Sequence, residues 1–179
     1  MEEKLSAGIG IIIVLIVSVI VGKWIAHIRS VISERQWLPE ELRAAELSFA
    51  ERTFRIWRPI ALIARIDRGY RLGEEIRLAE FKTRPTNKVY RSDVIELSAQ
   101  RMAMEKNTGV MVSKIGYVFL QDRNGKRKLA KRVFLMDTKE IIDLAARRQG
   151  IIEGKIQARY AESDGLCKVC AYKSECRPD

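Results

Sequence analysis

The sequence predicts an α/β domain preceded by an apolar N-terminal segment. Two pairs of short apolar runs are each joined by a turn-like segment, which is typical of β-hairpins, and helix-start signals occur before, between and after them. The 179 residues suffice for one modest domain with a buried core and an appendage. The formal net charge of +10 and an isoelectric point near 9.7 indicate an anionic partner, either nucleic acid or a membrane surface.

Residues 5–22 carry no charged side chain and predict a membrane anchor. As a helix these eighteen residues would extend about 27 Å, close to the thickness of the hydrocarbon core of a bilayer. Lys23 and Trp24 follow, at the position where interfacial residues are expected. A cleaved signal peptide, the alternative, would need a positively charged start and a small-residue cleavage site, whereas two glutamates precede the apolar run. We therefore expect one uncleaved transmembrane helix.

This helix sets the expected domain boundaries and the expected location. The anchor would occupy residues 1–28, a connector residues 29–38, and the folded domain residues 39–179. Three basic residues lie just after the apolar run, against one lysine and two glutamates before it. By the positive-inside rule, we expect a single-pass protein of the cell membrane with its folded domain in the cytoplasm.

A helix is predicted at the start of the folded domain. Pro39-Glu40-Glu41 suits a first helical turn, and the helix is expected to run to about Thr53. Glu46 and Glu51 would lie on it, and from the pattern alone they are solvated helix charges.

The first predicted hairpin carries a group of charged residues that could act together. With its tight turn at Gly73-Glu74, Asp67 lies opposite Glu80, with a Cβ–Cβ separation of about 5 Å. Glu80 and Lys82 are two residues apart and share one face of the strand. Two neighbouring carboxylates repel each other unless a proton or a metal lies between them, and a hard cation such as Mg²⁺ or Mn²⁺ takes oxygen ligands. The lysine would then help to orient a water molecule, and the alternative is a set of exposed charges on an edge hairpin.

Arginines are dense around this hairpin. Six lie between residues 52 and 71, among them Arg65 and Arg68, and Asp67 is the only acid between residues 52 and 73. Arg84 follows in the loop after Lys82. Such a density suits binding of a phosphate backbone, although ordinary surface charges would give the same pattern.

Three further elements complete the predicted domain. Ser92 is expected to cap a helix to about Lys106, which contains Gln100 as either a surface residue or a site residue. Residues 110–120 and 129–136 form a second hairpin around Asn124-Gly125, and a last helix runs from residue 137 or 138 to about residue 148. The second hairpin carries a cationic patch able to hold a DNA backbone or an anionic lipid head group. Its central residues are Lys126, Arg127 and Lys128.

All three cysteines lie in one C-x2-C-x5-C run near the C-terminus, within about residues 160–179: Cys167, Cys170 and Cys176. A structural disulfide is not expected in a cytoplasmic domain. Thiolate ligation of Zn²⁺ or of an iron–sulfur cluster explains so compact a run, although four ligands are usual and only three cysteines are present. Free or redox-exchanging thiols are the alternative.

In their order along the chain, these motifs resemble the PD-(D/E)XK nuclease superfamily. Asp67 with Glu80-Phe81-Lys82 resembles its D-(x)n-E-x-K pattern, and Gln100 matches the glutamine of the Q-x-x-x-Y motif of RecB-like nucleases, with Met104 in place of the tyrosine. The cysteine run, with Tyr172 soon after its second cysteine, is similar to that of the RecB-like iron–sulfur exonucleases of CRISPR adaptation. Those proteins carry a fourth cysteine near the start of the nuclease domain, which this sequence lacks between residues 30 and 60.

The resemblance implies a restriction-endonuclease-like mixed sheet flanked by helices and a metal-dependent nuclease acting on DNA, most simply an exonuclease. It implies Mg²⁺ or Mn²⁺ on Asp67, Glu80 and the carbonyl of Phe81, with Glu46 or Glu51 as an added ligand. Lys82 would position the water, and a [4Fe–4S] cluster or Zn²⁺ would bind the cysteines. Two alternatives stay open, a DNA-binding or scaffolding module of this fold at the membrane that does not cleave, and a cysteine-ligated metal or redox module.

Overall fold

The computed structural model describes residues 16–25, 37–124, 127–159, 164–168 and 170–176. The chain divides into two compact units between Met136 and Asp137. The elements of the first unit are the helix α1 over residues 16–25, α2 (Glu40–Arg43), β1 (Glu46–Ile56), β2 (Leu62–Leu72), β3 (Glu75–Thr83), α3 (Arg91–Thr108), β4 (Ile115–Gln121) and β5 (Arg127–Phe134). Those of the second unit are α4 (Thr138–Ile152), α5 (Asp164–Lys168) and α6 (Lys173–Cys176).

The expected transmembrane helix is not found, and that prediction is wrong. Among the described helices, none combines the length and the apolar character needed to cross a membrane. Residues 5–15 of the expected anchor and residues 29–36 of the expected connector lie outside the described part of the chain.

The five strands form one mixed sheet in the order β1-β2-β3-β4-β5. β3 and β4 are parallel, and the other neighbours are antiparallel, as the α/β prediction requires. The long helix α3 supplies the crossover that joins the two parallel strands. It packs on one face of the sheet over a core that includes Ile66, Leu78, Leu97 and Val118, whereas Tyr70, Ala79, Tyr117 and Phe119 are buried on the other face beside α2.

The predicted register of the first hairpin is confirmed. Gly73 and Glu74 form the turn, where Gly73 has a φ of 62° that suits glycine. The β2–β3 pairs run from Leu72 opposite Glu75 to Arg68 opposite Ala79. The expected pairing of Asp67 with Glu80 is not part of this ladder. Beyond Arg68 and Ala79, β2 continues along β1 and β3 continues along β4, so that the two strands diverge at Asp67 and Glu80.

The predicted helix over residues 39–53 is largely a strand. Helix α2 ends after one turn, and β1 begins at Glu46, which places both Glu46 and Glu51 on a strand. The stretch from Ser48 to Ile56 is rich in aromatic and β-branched residues, which pack well on a half-buried sheet surface. The second hairpin, the α3 helix and the helix that starts after Asp137 are confirmed. The expected cap at Ser92 is wrong, because α3 begins at Arg91 and Tyr90 is its N-cap residue.

Candidate active site at the divergence of β2 and β3

Asp67 lies where β2 leaves β3, and its carboxylate bridges the two strands. Oδ2 of Asp67 accepts a hydrogen bond from the backbone N–H of Phe81 at 2.9 Å. A side chain thus takes the place of a backbone partner at the first step beyond the β2–β3 ladder. This contact holds the Asp67 carboxylate against the Glu80-Phe81-Lys82 segment.

Glu80 is buried, with 4% of its surface exposed. It follows Ile76 and Leu78 on the face of β3 that packs against α3, since alternate residues share a face. Its Oε1 accepts from Lys82 Nζ and its Oε2 from Gln100 Nε2, each at 2.8 Å. Burial raises the pKa of Glu80, and the charges of nearby carboxylates raise it further, while these two hydrogen bonds oppose the shift. The carboxylates that act on Glu80 are Asp67 and Glu96.

Lys82 is held between two carboxylates. Its Nζ donates to Glu80 Oε1 at 2.8 Å and to Glu96 Oε2 at 2.6 Å. Partial burial lowers the pKa of Lys82, but the hydrogen bonds to Glu80 and Glu96 outweigh it, and the net shift is upward. The amine therefore stays protonated at neutral pH.

Glu96 is a site residue that sequence reasoning missed. It lies on α3 four residues before Gln100, and residues spaced by four lie on one face of a helix. That spacing is the signal that could have found it, once Gln100 was assigned to the site.

Gln100 ties the two diverging strands together from α3. It is 2% exposed, and its Nε2 donates both to the backbone carbonyl of Arg65 on β2, at 3.0 Å, and to Glu80 on β3. Its Oε1 has no hydrogen-bond partner among the described residues. Met104, in place of the expected tyrosine, is fully buried in the core under α3.

The two glutamates of β1 differ in their distance from this site. Ala50 pairs with Arg68 and Arg52 with Ile66, which leaves Glu51 facing the Asp67 position. Glu51 has a left-handed φ of 51°, and its carboxylate accepts from Arg65 at 2.5 Å and from Arg68 at 3.2 Å.

Glu46 pairs with Arg71 near the opposite end of the β1–β2 ladder. It lies about 17 Å from Glu51 along β1 at the usual rise of a strand. The structure therefore brings Glu51, but not Glu46, to the neighbourhood of Asp67.

The donor set fits a hard divalent cation held by two carboxylates. No group of three or more His, Cys, Asp or Glu side chains is placed to hold a metal within the described ranges. Mg²⁺ is commonly bound by one or two carboxylates, with water and substrate phosphate completing its shell. Asp67 and Glu80 supply such a pair, and the rise in the Glu80 pKa caused by the Asp67 charge is a repulsion that a bound cation would relieve.

The predicted nucleic-acid-binding residues have different surroundings. Arg65 and Arg68 lie beside the site, both paired with Glu51. Arg84 makes a two-pronged ion pair with the buried Asp93, at 3.0 and 2.7 Å, and its guanidinium lies over the ring of Tyr90. Of the second cationic patch, Lys126 lies outside the described residues, and residues 127 and 128 begin strand β5.

The cysteine run forms part of the second unit. Cys167 lies on α5 and is half-buried, Cys170 is exposed in the turn that follows, and both are free thiols. The N–H of Cys170 donates to the carbonyl of Cys167 at 3.3 Å, and Cys176 ends α6. The short sequence spacing thus becomes a tight turn around Cys167 and Cys170.

Two solved structures are similar to this chain at low sequence identity. SSO0001 is 13% identical, with a TM-score of 0.42 over 74% of this chain and 59% of that one. A candidate exonuclease from Eubacterium rectale is 10% identical, with a TM-score of 0.45 over 83% of this chain and 59% of that one. The chain thus spans about three fifths of the length of each structure. No curated protein matches the chain.

The sequence pattern of one protein family covers nearly the whole chain. The family description that matches residues 15–177 is that of the PD-(D/E)XK nuclease superfamily. The matched range includes the diverging strands with Asp67, Glu80 and Lys82, and it reaches the cysteine run. The resemblance drawn from the sequence motifs is therefore confirmed, and the chain belongs to the PD-(D/E)XK nuclease superfamily.

Proposed function

We propose that this chain is a divalent-metal-dependent nuclease that hydrolyses phosphodiester bonds in DNA. The observation that supports this most strongly is the meeting of Asp67 and Glu80 where β2 and β3 diverge, with the Lys82 ammonium on Glu80. Carboxylates and an amine at this spacing can hold a cation and a phosphate together.

Each residue of the site has a distinct part in the proposed reaction. Asp67, Glu80 and the Phe81 carbonyl would hold Mg²⁺ or Mn²⁺. The bound ion would lower the pKa of a coordinated water molecule and stabilise negative charge on the scissile phosphate. Lys82 donates hydrogen bonds from a charged amine and would orient the attacking water or a phosphate oxygen. Gln100, which lies on α3, holds the Glu80 carboxylate in place through a hydrogen bond to its Oε2.

The resemblance to RecB-like exonucleases extends the proposal to removal of nucleotides from a strand end. Linear and circular single-stranded DNA of the same sequence test this directly. An exonuclease degrades the linear strand and leaves the circle intact, whereas equal degradation of both would indicate an endonuclease.

The cysteine run is proposed to bind a metal, either an iron–sulfur cluster or Zn²⁺, in a domain that works in the cytoplasm. The C-x2-C spacing and the turn at Cys167 and Cys170 support thiolate ligation. Anaerobic purification, followed by metal analysis and visible absorption before and after reductant, tests it. Protein that carries neither iron nor zinc would contradict this part of the proposal.

The nuclease assay combines a substitution with a matched control. The 179-residue chain is incubated with single- and double-stranded DNA in Mn²⁺, Mg²⁺ or EDTA, alongside Lys82→Ala and Lys139→Ala. Lys139 is an exposed lysine that also bonds a carboxylate, that of Asp143. We expect metal-dependent cleavage that Lys139→Ala retains and that Lys82→Ala lowers about 100-fold or more, with DNA binding preserved.

Two outcomes would overturn the proposal. Undiminished cleavage by Lys82→Ala would show that this site does not carry out the reaction. Folded wild-type protein that binds DNA but does not cleave it with any of these metals would instead be a binding module of the same fold.

A further inference from the structure

The outer face of the β1–β2 ladder carries an exposed strip that the proposed reaction does not use. Phe54, Ala64 and Ile66 are buried toward α3, so the alternate residues of the two strands point the other way. Thr53 pairs with Arg65 and Arg55 with Ile63, and all four are exposed. Trp57 follows β1 and is 71% exposed. We call these five residues the β1–β2 strip: Thr53, Arg55, Trp57, Ile63 and Arg65.

We propose that the β1–β2 strip binds a single-stranded segment of nucleic acid, with Trp57 stacked on a base and Arg55 and Arg65 on phosphates. The proposal rests on the nuclease function above and narrows its substrate to nucleic acid with an accessible single strand. Aromatic side chains in a cationic groove are the usual means of binding single strands, because every base offers a face for stacking. The exposed indole of Trp57 provides the stacking surface, and the guanidinium groups of Arg55 and Arg65 provide the positive charge.

The strip meets the active site at Arg65, although the strip side chains lie on the face of the sheet opposite α3. Arg65 ends the strip, and the backbone carbonyl of Arg65 accepts the hydrogen bond from Gln100, which also holds Glu80. The Arg65 guanidinium forms an ion pair with Glu51, and the Arg65 side chain is more than half exposed. Ion pairs this exposed contribute little to stability. A phosphate can therefore compete with Glu51 for Arg65.

The length of the strip limits how many nucleotides are needed to contact both Trp57 and Asp67. Ile63 lies four residues before Asp67 on β2, and Trp57 lies two residues beyond Arg55, the partner of Ile63. At about 3.3 Å per residue, Trp57 is roughly 20 Å from Asp67 along the strands. At about 3.4 Å per stacked nucleotide, one strand needs at most about six nucleotides to contact both.

Charge favours a nucleic acid over a second copy of this chain as the occupant. Arg55 and Arg65 lie on the strip, Arg58 is exposed just beyond it, and between residues 52 and 66 the sequence has no acid. Two copies related by a twofold axis would bring these cations face to face, which is unfavourable. A duplex offers phosphates but keeps its base faces stacked, so it would leave Trp57 unused.

Binding in EDTA tests the proposal independently of cleavage. The probe is fluorescein-labelled oligothymidylate of about twelve nucleotides, measured by fluorescence anisotropy with the 179-residue chain. We expect Trp57→Ala to weaken binding about five- to 150-fold, the range for loss of about 1–3 kcal/mol of stacking. Trp57→Phe should restore most of the affinity, because it retains an aromatic face.

Phe134→Ala is the matched control. Phe134 is 73% exposed on β5, at the opposite edge of the sheet, and the guanidinium of Arg132 lies 5.5 Å from its ring centre. It thus reproduces an exposed aromatic beside an arginine away from the strip, and its removal should leave oligothymidylate affinity unchanged. An equal loss in Phe134→Ala would overturn the proposal.

The remaining outcomes each decide the question. Binding of a blunt duplex should be insensitive to Trp57→Ala, and an equal loss on the duplex would overturn base stacking. The proposal also falls if the wild-type chain does not bind oligothymidylate. It falls too if Trp57→Ala changes the oligomeric state of the protein in solution while leaving its affinity for oligothymidylate intact. Because no cleavage occurs in EDTA, a protein that binds through Trp57 but never cuts would refute the nuclease function alone.

Discussion

Replacing Arg84 by methionine separates a structural role of this arginine from a role in DNA binding. From the sequence, Arg84 is a candidate for phosphate contact. In the structure its guanidinium donates to both oxygens of Asp93, which is 3% exposed, and to the carbonyl of Lys88. Asp93 in turn accepts from the N–H of Tyr90 at the start of α3. Removal of Arg84 would leave a buried carboxylate without its counterion.

The expected cost is large because the pair is buried on both sides. The Arg84 side chain is 15% exposed and that of Asp93 is 4% exposed. Breaking such a pair from one side costs about 3–5 kcal/mol. For a chain of this size each kcal/mol lowers the unfolding temperature by about 2–4 °C, so Arg84→Met should unfold roughly 6–20 °C earlier than wild type.

Thermal unfolding followed by circular dichroism in EDTA measures this shift. Lys139→Met is the control, because it breaks an ion pair whose lysine is 85% exposed, and its unfolding temperature should match that of wild type. If Arg84→Met keeps the wild-type unfolding temperature and loses DNA affinity, the reasoning from burial is refuted and Arg84 is a phosphate contact.

Three further predictions concern the hydrogen bonds around the site. Gln100→Leu removes a hydrogen bond to the buried Glu80 carboxylate that is worth about 1.5–3 kcal/mol, and it should lower kcat/KM about tenfold or more. Gln149→Leu, which removes an exposed hydrogen bond to Glu153, should leave kcat/KM unchanged. Glu96→Gln removes a charge that raises the pKa of Lys82, so the alkaline limb of the pH–rate profile should move to lower pH, and an unmoved limb would contradict the pairing. Burial raises the pKa of Asp93, but hydrogen bonds from Arg84 and from the backbone outweigh burial and lower the pKa overall. The ionised Asp93 therefore stabilises the fold above the ordinary aspartate pKa, and this stabilisation is lost as the pH falls through the pKa of the folded state. The unfolding temperatures of wild type and Asp93→Asn should converge in acid.

The first hairpin could be predicted because local chemistry fixes its register. Gly73-Glu74 allows one tight turn, and a slip by one residue would move every apolar side chain of β3 to the wrong face. Asp67 and Glu80 are the next residues beyond the last pair of that ladder, although they do not pair as expected. The α3 helix was equally readable, because a run of eighteen residues without glycine or proline, followed by Gly109, favours a helix over a strand.

The first strand and the partners of Lys82 could not be predicted in this way. Pro39-Glu40-Glu41 starts a helix, but no local signal marks its end after one turn at Arg43, and tertiary pairing with β2 then decides that Glu46 begins a strand. The spacing of Glu96 and Gln100 places both on one face of α3, but the contact of Glu96 with Lys82 also depends on how α3 crosses the sheet.

The predicted transmembrane helix rested on an uncharged apolar run and on the residues that flank it. Among the helices that the structure describes, none meets the length and hydropathy that a bilayer requires.

Titration with Mn²⁺ tests most directly the claim that Asp67 and Glu80 together hold a divalent cation. Calorimetry would compare wild type with Asp67→Asn and Glu80→Gln, and with Glu46→Gln as a control, since Glu46 lies near the other end of the β1–β2 ladder. The account predicts one Mn²⁺ site that is lost in both site variants and kept in Glu46→Gln. Mn²⁺ affinity that survives both Asp67→Asn and Glu80→Gln would contradict it.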